Sequence, residues 1–192
     1  YSYSNSVQDG TVYIGNVNVG GMTQAQAQSA VEEYVAGLMD TTFTLKGESG
    51  SVSMTAQDMG VTADVNAAVT EAVAVGRAGS LINRYKTTQD LKKNSLVLDM
   101  HLSVDKQTTA QKLYKDSDKL SVAAVDNGLV RENGAFPFVK GKEGVEVNIV
   151  DSVYAINDFL ADEWNGTNNE IELVTDVVEP RGDEEELAQV QD

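Results

Sequence analysis

The 192-residue sequence contains no cysteine, one histidine and two prolines. Without cysteine there is no disulfide, no thiolate metal site and no thiol nucleophile. With His101 as the only histidine, a multi-histidine zinc site is excluded, and any histidine-based triad would have to be built around that one residue. Basic residues are scarce too: 14 Lys+Arg stand against 30 Asp+Glu, for a net charge of −16. Such a chain repels a phosphate backbone, whose affinity comes largely from Lys and Arg neutralisation, so no nucleic-acid partner is expected. Anionic lipid surfaces are disfavoured on the same ground. No apolar run approaches the roughly 20 residues needed to span a bilayer, and nothing at the N-terminus has the pattern of a signal peptide. The missing leader says little about location, because the chain opens on Tyr1 and not on methionine.

Apolar residues make up 41% of the chain, enough to fill a core, so the acidity reads as a solvated surface on one sizeable domain or two small ones. Residues 1–10 are small and polar and read as a flexible lead-in. Residues 11–19 alternate apolar and polar toward their end, as a half-buried strand does, and Gly20-Gly21 then turns the chain. Thr23 followed by Gln26 is a capping-box pattern, continued at helical spacing by Ala27, Ala30, Val31, Tyr34, Val35 and Leu38. Residues 42–46 and 51–55 read as a hairpin around Gly47-Glu48-Ser49-Gly50. Asp64 can cap a second helix that stops at Gly76 or Gly79.

The same order of elements then returns. Residues 96–104 read as a strand, and Thr108 with Gln111 repeats the Thr-x-x-Gln box 85 residues after Thr23. Gly144-Val145-Glu146-Val147-Asn148 echoes Gly60-Val61-Thr62-Ala63-Asp64 at an offset of 84. A helix after Asp151 and a last strand over residues 170–178 complete the pattern. The expected fold class is α+β: two similar strand-helix-hairpin-helix halves, residues 11–94 and 95–180, with helices packed on small, mainly antiparallel sheets. After Pro180, residues 181–192 read as an acidic linker toward a downstream domain that is missing from the chain.

The run Val19-Gly20-Gly21-Met22-Thr23 before an Ala-rich helix, then Met59-Gly60-Val61 with Asp64, then Ala74-Val75-Gly76-Arg77-Ala78-Gly79, resembles the extracellular region of VanW-type cell-wall proteins. Residues 139–148 are similar to a second stretch of the same region, the peptidoglycan-binding module also found ahead of some L,D-transpeptidase domains. The resemblance spans roughly residues 11–180, and it rests on short, glycine-centred motifs. It implies an extracellular, wall-facing piece of a Gram-positive surface protein that meets the membrane only through an N-terminal anchor outside this chain. It further implies peptidoglycan as partner, no cofactor and no catalysis in this piece, since the transpeptidase nucleophile is a Cys of a following domain.

A peptidoglycan ligand offers N-acetyl groups, amides and carboxylates, so its site should combine a flat or apolar wall with amide partners and a cation. Residues 76–93 hold five basic residues against one acidic residue, the one basic stretch of the chain. Within it Arg77 and Arg84 are candidates to pair with stem-peptide carboxylates, Asn83 to bond an amide and Tyr85 to give a flat contact. The alternative for Arg77 is structural: a cation at a helix end commonly satisfies its last carbonyls. Tyr34, Tyr114, Phe159 and Trp164 fall on helical apolar stripes and are expected in the core, while one of Phe136 and Phe138 is expected to be exposed. His101 sits mid-strand and, without a second catalytic candidate, supports no mechanism. The carboxylates show no calcium-loop spacing, and a glycosidase pair facing across a cleft cannot be read from sequence. Arg181-Gly182-Asp183 and Asn165-Gly166-Thr167 match short integrin-type and glycosylation motifs that are easily met by chance. The rival to a binding module is a structural spacer or protein-interaction module that positions a downstream domain in the wall.

Overall fold

The structure, a computed structural model, describes residues 6–75, 95–183, 185 and 187. Thr23 fixes the first helix: its hydroxyl accepts the Gln26 N–H at 3.2 Å, and the Gln26 side chain accepts the Thr23 N–H at 3.0 Å. Both halves of the capping box therefore form, and α1 runs Gln24–Leu38 with Ala27, Val31 and Leu38 buried. Asp64 likewise caps α2, Val65–Ala74, by accepting the Ala67 N–H. This helix ends at Ala74; Gly76 and Gly79 lie outside the described residues, as do residues 1–5 of the lead-in and most of the acidic tail.

The chain divides into two compact units that do not follow its linear halves. The first comprises Tyr1–Phe43, Met54–Thr109 and Ile156–Asn169; the second comprises Thr44–Ser53, Ala110–Ala155 and Glu170–Asp192. In the first unit the expected strand over residues 11–19 is instead two, β1 (Val12–Ile14) and β2 (Val17–Asn18), folded antiparallel. Gly15 between them has φ +57°, a left-handed turn conformation that breaks a straight strand and suits a residue without Cβ. β1 also pairs in parallel with β6, Leu96–Leu98, so this small sheet is mixed. The expected strand over 96–104 breaks for a similar reason: His101 sits at φ +57°, and its N–H is taken by the Asp99 carboxylate at 2.8 Å. The chain resumes as β7, Leu102–Ser103, antiparallel to β5, Thr62–Ala63. Helix α1 packs on α2, and α2 covers β1 and β6, enclosing Val12, Ile14, Val31, Val69 and Ala72. Their complete burial is the hydrophobic driving force of this unit, roughly 1.5–3 kcal/mol for each large aliphatic side chain.

Helix α3, Lys106–Lys115, starts earlier than the Thr108–Gln111 box predicts. The Asp105 carboxylate takes the capping role by accepting the Thr108 N–H at 2.9 Å, and it competes better than a hydroxyl because its charge also suits a helix N-terminus. Buried Thr109 reinforces this start by bonding the carbonyls of Asp105 and Met59.

Strands β3 (Thr42–Lys46) and β4 (Ser51–Thr55), of which residues 44–53 belong to the second unit, form the expected hairpin, closed by Gly47 N–H to the Gly50 carbonyl at 2.8 Å. A short helix, α4 (Ser117–Leu120), and the small hairpin of β8 (Gly128–Leu129) with β9 (Phe138–Val139) precede β10, Gly144–Val147. Helix α5, Ile149–Asp158, is capped by Asn148 through the Asp151 N–H, so Asp151 lies inside the first turn and does not precede the helix. The expected last strand over residues 170–178 is two strands with different partners. β11, Glu170–Glu172, runs parallel to β3, and β12, Thr175–Val178, runs antiparallel to β10. Between them Val174 is pinned to α5, accepting from Ser152 Oγ at 3.1 Å and donating back to it at 2.9 Å, which reaims the chain. After α5 the backbone widens into one π-helical turn, Phe159–Glu163, which lies wholly within the first unit's last segment.

Candidate functional site

The first unit contains a cavity of about 330 Å³, at the low end of the range for small-molecule sites. Its lining comes from the β1–β2 turn, α1, the chain around β6 and β7, and the π-helical turn with the residues that follow it. Such π turns are frequent at functional sites because the extra residue displaces side chains from regular helical register. Here that turn contributes Leu160, Ala161 and Asp162, and it ends on Trp164, whose N–H bonds the Phe159 carbonyl at 2.8 Å.

Trp164 is held on two sides. Its indole Nε1 donates to Asn169 Oδ1 at 3.0 Å, and Phe43 meets it edge-on at 5.2 Å between ring centroids. Tyr34, half-buried on α1, is tied to the opposite turn by Asn16, whose Nδ2 donates to Tyr34 Oη at 3.1 Å and to the Asn165 carbonyl at 3.0 Å. Two glycines make this approach possible. A Cβ on Gly15 would stand 2.8 Å from Met100 Cε, and one on Gly166, at φ +89°, would stand 2.6 Å from Asn16 Nδ2. Asn16 and Tyr34 also line an adjoining depression of about 560 Å³ along α1, with Ala30, Glu33, Gly37 and Leu38.

The charges at the cavity are acidic. Asp99 and Asp162 belong to its lining, and neither Lys nor Arg does among the described residues. Close by, His101 Nε2 lies 3.0 Å from Glu71 Oε1 and its Nδ1 3.8 Å from Asp99 Oδ2, so the lone histidine is held by carboxylates at a turn and is not mid-strand. Among the described residues no cluster of three His, Asp or Glu side chains could hold a metal ion, and no helix is long and apolar enough to cross a membrane.

The sequence-based site, Arg77, Asn83, Arg84 and Tyr85, lies outside the described residues, as does the rest of the basic stretch over residues 76–93. Tyr34 and Trp164 were expected in the core, and their half-burial at a cavity rim corrects that expectation; Tyr114, also expected there, is 73% exposed. Helical spacing marks which residues share a face but not whether the facing layer is closed. The local signals that could have found the cavity are Gly15-Asn16 interrupting an apolar run and Asn165-Gly166 directly after the single tryptophan.

In comparison with protein families, the model of the family described as "putative peptidoglycan binding domain" matches residues 52–168, more than half of the chain. The chain belongs to this family. No curated protein and no solved structure gives a match. The part of the cavity formed by Val97–Leu102 and Leu160–Gly166 falls inside the span matched to the peptidoglycan binding domain, whereas Gly15, Asn16 and Tyr34 precede it.

Proposed function

We propose that this chain is a non-catalytic, wall-facing module that binds peptidoglycan within a VanW-like surface protein of a Gram-positive bacterium. The observation that carries the reading is membership of the peptidoglycan binding domain family over residues 52–168. The resemblance of residues 11–180 to the extracellular region of VanW-type proteins supports the finer assignment: an anchored, extracellular protein in which the module presents a downstream domain to the wall. Two related halves, 11–94 and 95–180, fit that proposal. Asp64 and Asn148, 84 residues apart, each follow a short strand and each cap the next helix. Arg77, Arg84, Asn83 and Tyr85 remain proposed contacts for the stem peptide, with the two arginines pairing carboxylates.

The test is co-sedimentation of the purified chain with insoluble peptidoglycan stripped of teichoic acids, comparing wild type with a folded Arg77→Ala/Arg84→Ala variant. Retention of wild type and its loss in the double variant are expected. If wild type stays in the supernatant the module reading fails, and a spacer role, which the −16 charge favours near anionic wall polymers, takes its place.

A further inference from the structure

We propose that the cavity between Tyr34 and Trp164 is a subsite for an uncharged N-acetylhexosamine unit of a glycan strand. The inference rests on the peptidoglycan reading but assigns the recognition to a different place from the basic stretch. It begins with hydrogen-bond valence. Both N–H groups of the Asn16 amide are used, on Tyr34 Oη and the Asn165 carbonyl, so the remaining capacity of that side chain is its Oδ1, an acceptor. Tyr34 Oη accepts from Asn16, so its own proton is the group left to donate. An acceptor and a donor held side by side are the complement of an acetamido group, which offers one N–H and one C=O.

The apolar partners match as well. Val97, which is 64% exposed, and half-buried Trp164 line the same cavity and supply surface for an acetyl methyl and a sugar face, with Met100 and Leu160 buried behind them. Because the indole N–H is already bonded to Asn169, Trp164 is fixed in orientation and contributes a flat apolar surface without an unsatisfied donor. Asp99 and Asp162 can accept from sugar hydroxyls, while with neither Lys nor Arg among the described lining residues they repel the free carboxylates of a stem peptide. The volume of about 330 Å³ suits one hexosamine, and the depression along α1, which shares Asn16 and Tyr34, gives a linear glycan room to continue.

Trp164 is the only tryptophan, so its emission reports on the cavity directly. The chain is titrated with the tetramer of N-acetylglucosamine and, in parallel, with the glucose tetramer that lacks acetamido groups. A saturable change in emission with the first at millimolar concentration or below, and a much weaker response to the second, is expected. Tyr34→Phe keeps the ring and removes the donor, and it should weaken binding about fivefold, the scale of one lost hydrogen bond. Asn16→Ala serves as the second variant, with circular dichroism confirming that both remain folded. Equal responses to the two sugars, no response to either, or unchanged affinity in both folded variants overturn the assignment. Co-sedimentation separates the two readings. Retention on peptidoglycan without a tetramer response sinks the subsite alone, whereas a tetramer response without retention sinks the peptidoglycan reading and leaves the sugar site standing.

Discussion

Ser152→Ala deletes one oxygen from a fully buried position and should destabilise the second unit by about 1–2 kcal/mol. The Ser152 hydroxyl donates to the Val174 carbonyl and accepts the Val174 N–H, so its removal touches two backbone groups at once. They do not suffer equally. The carbonyl keeps the Asn148 N–H at 2.8 Å, whereas the N–H has no second acceptor among the described residues. An orphaned buried donor costs about 1–3 kcal/mol, and the half-burial of Val174 places the cost in the lower part of that range. Alanine returns a few tenths of a kcal/mol through its helix propensity, and no cavity of consequence opens, because only an oxygen is lost. Thr70→Ala is the matched control: that hydroxyl only back-bonds the Asn66 carbonyl at 2.7 Å on the exposed face of α2, so its loss should change stability by less than about 0.5 kcal/mol. Urea unfolding gives the free energies from midpoints at unchanged slope, and amide hydrogen exchange reads the Val174 N–H itself. If Ser152→Ala matches Thr70→Ala in stability and the Val174 amide stays as protected as in wild type, the proposed pin between α5 and the β11–β12 bend is wrong.

Three further substitutions probe helix starts. The Thr108 N–H and then the Thr108 hydroxyl, with a lesser contribution from the Gln107 N–H, hold the Asp105 carboxyl below its ordinary value against an opposing desolvation. A depressed folded-state pKa stabilises fully above the unfolded value of 3.8 and loses that stabilisation as pH falls through the folded value. Asp105→Asn keeps an acceptor but cannot titrate, so its melting temperature should fall less steeply than wild type as pH drops below 3.8; parallel curves would refute this. Thr23→Ala should cost about 1 kcal/mol in urea unfolding by removing the cap of α1, and Gln26→Ala, which removes only the reciprocal half, should cost less.

The elements legible in the sequence are those whose deciding interactions are local. Thr23 with Gln26, Asp64 and the Gly47–Gly50 turn each settle a boundary through partners within three residues, and the structure places those boundaries as expected. The errors fall where a distant partner or a left-handed residue decides. Three long strands become pairs: at Gly15, at His101, and at Val174, where the pin comes from Ser152, 22 positions away in sequence. At α3 and α5 the sequence pattern points to Thr108 and Asp151, but the residue three positions earlier caps the helix in each case, Asp105 and Asn148. The cavity was invisible for a related reason. Asn16, Tyr34 and Trp164 are separated by as many as 148 positions, and only the folded chain brings the β1–β2 turn against residue Asn165.

The two proposed contact regions make opposite electrostatic demands, and ionic strength separates them. Binding that depends on Arg77 and Arg84 would work against a chain of net charge −16, and attraction between charges is screened once the Debye length falls from about 10 Å at 0.1 M to about 3 Å at 1 M salt. A neutral acetamido sugar held by Asn16, Tyr34 and Trp164 brings no charge to screen, and higher salt slightly favours burial of its apolar face. Peptidoglycan carries both chemistries, so retention alone cannot say which one the module uses. Retention that survives 1 M salt and is weakened by Tyr34→Phe would assign the affinity to the glycan strand. Retention that collapses with salt and with Arg77→Ala/Arg84→Ala, but is indifferent to Tyr34→Phe, would assign it to the stem peptide. Loss of retention in both the arginine double variant and Tyr34→Phe would assign it to the two regions together: the glycan-directed site lets a chain of net charge −16 approach an anionic wall without depending on attraction between charges, and the arginines add a local attraction to the stem peptide.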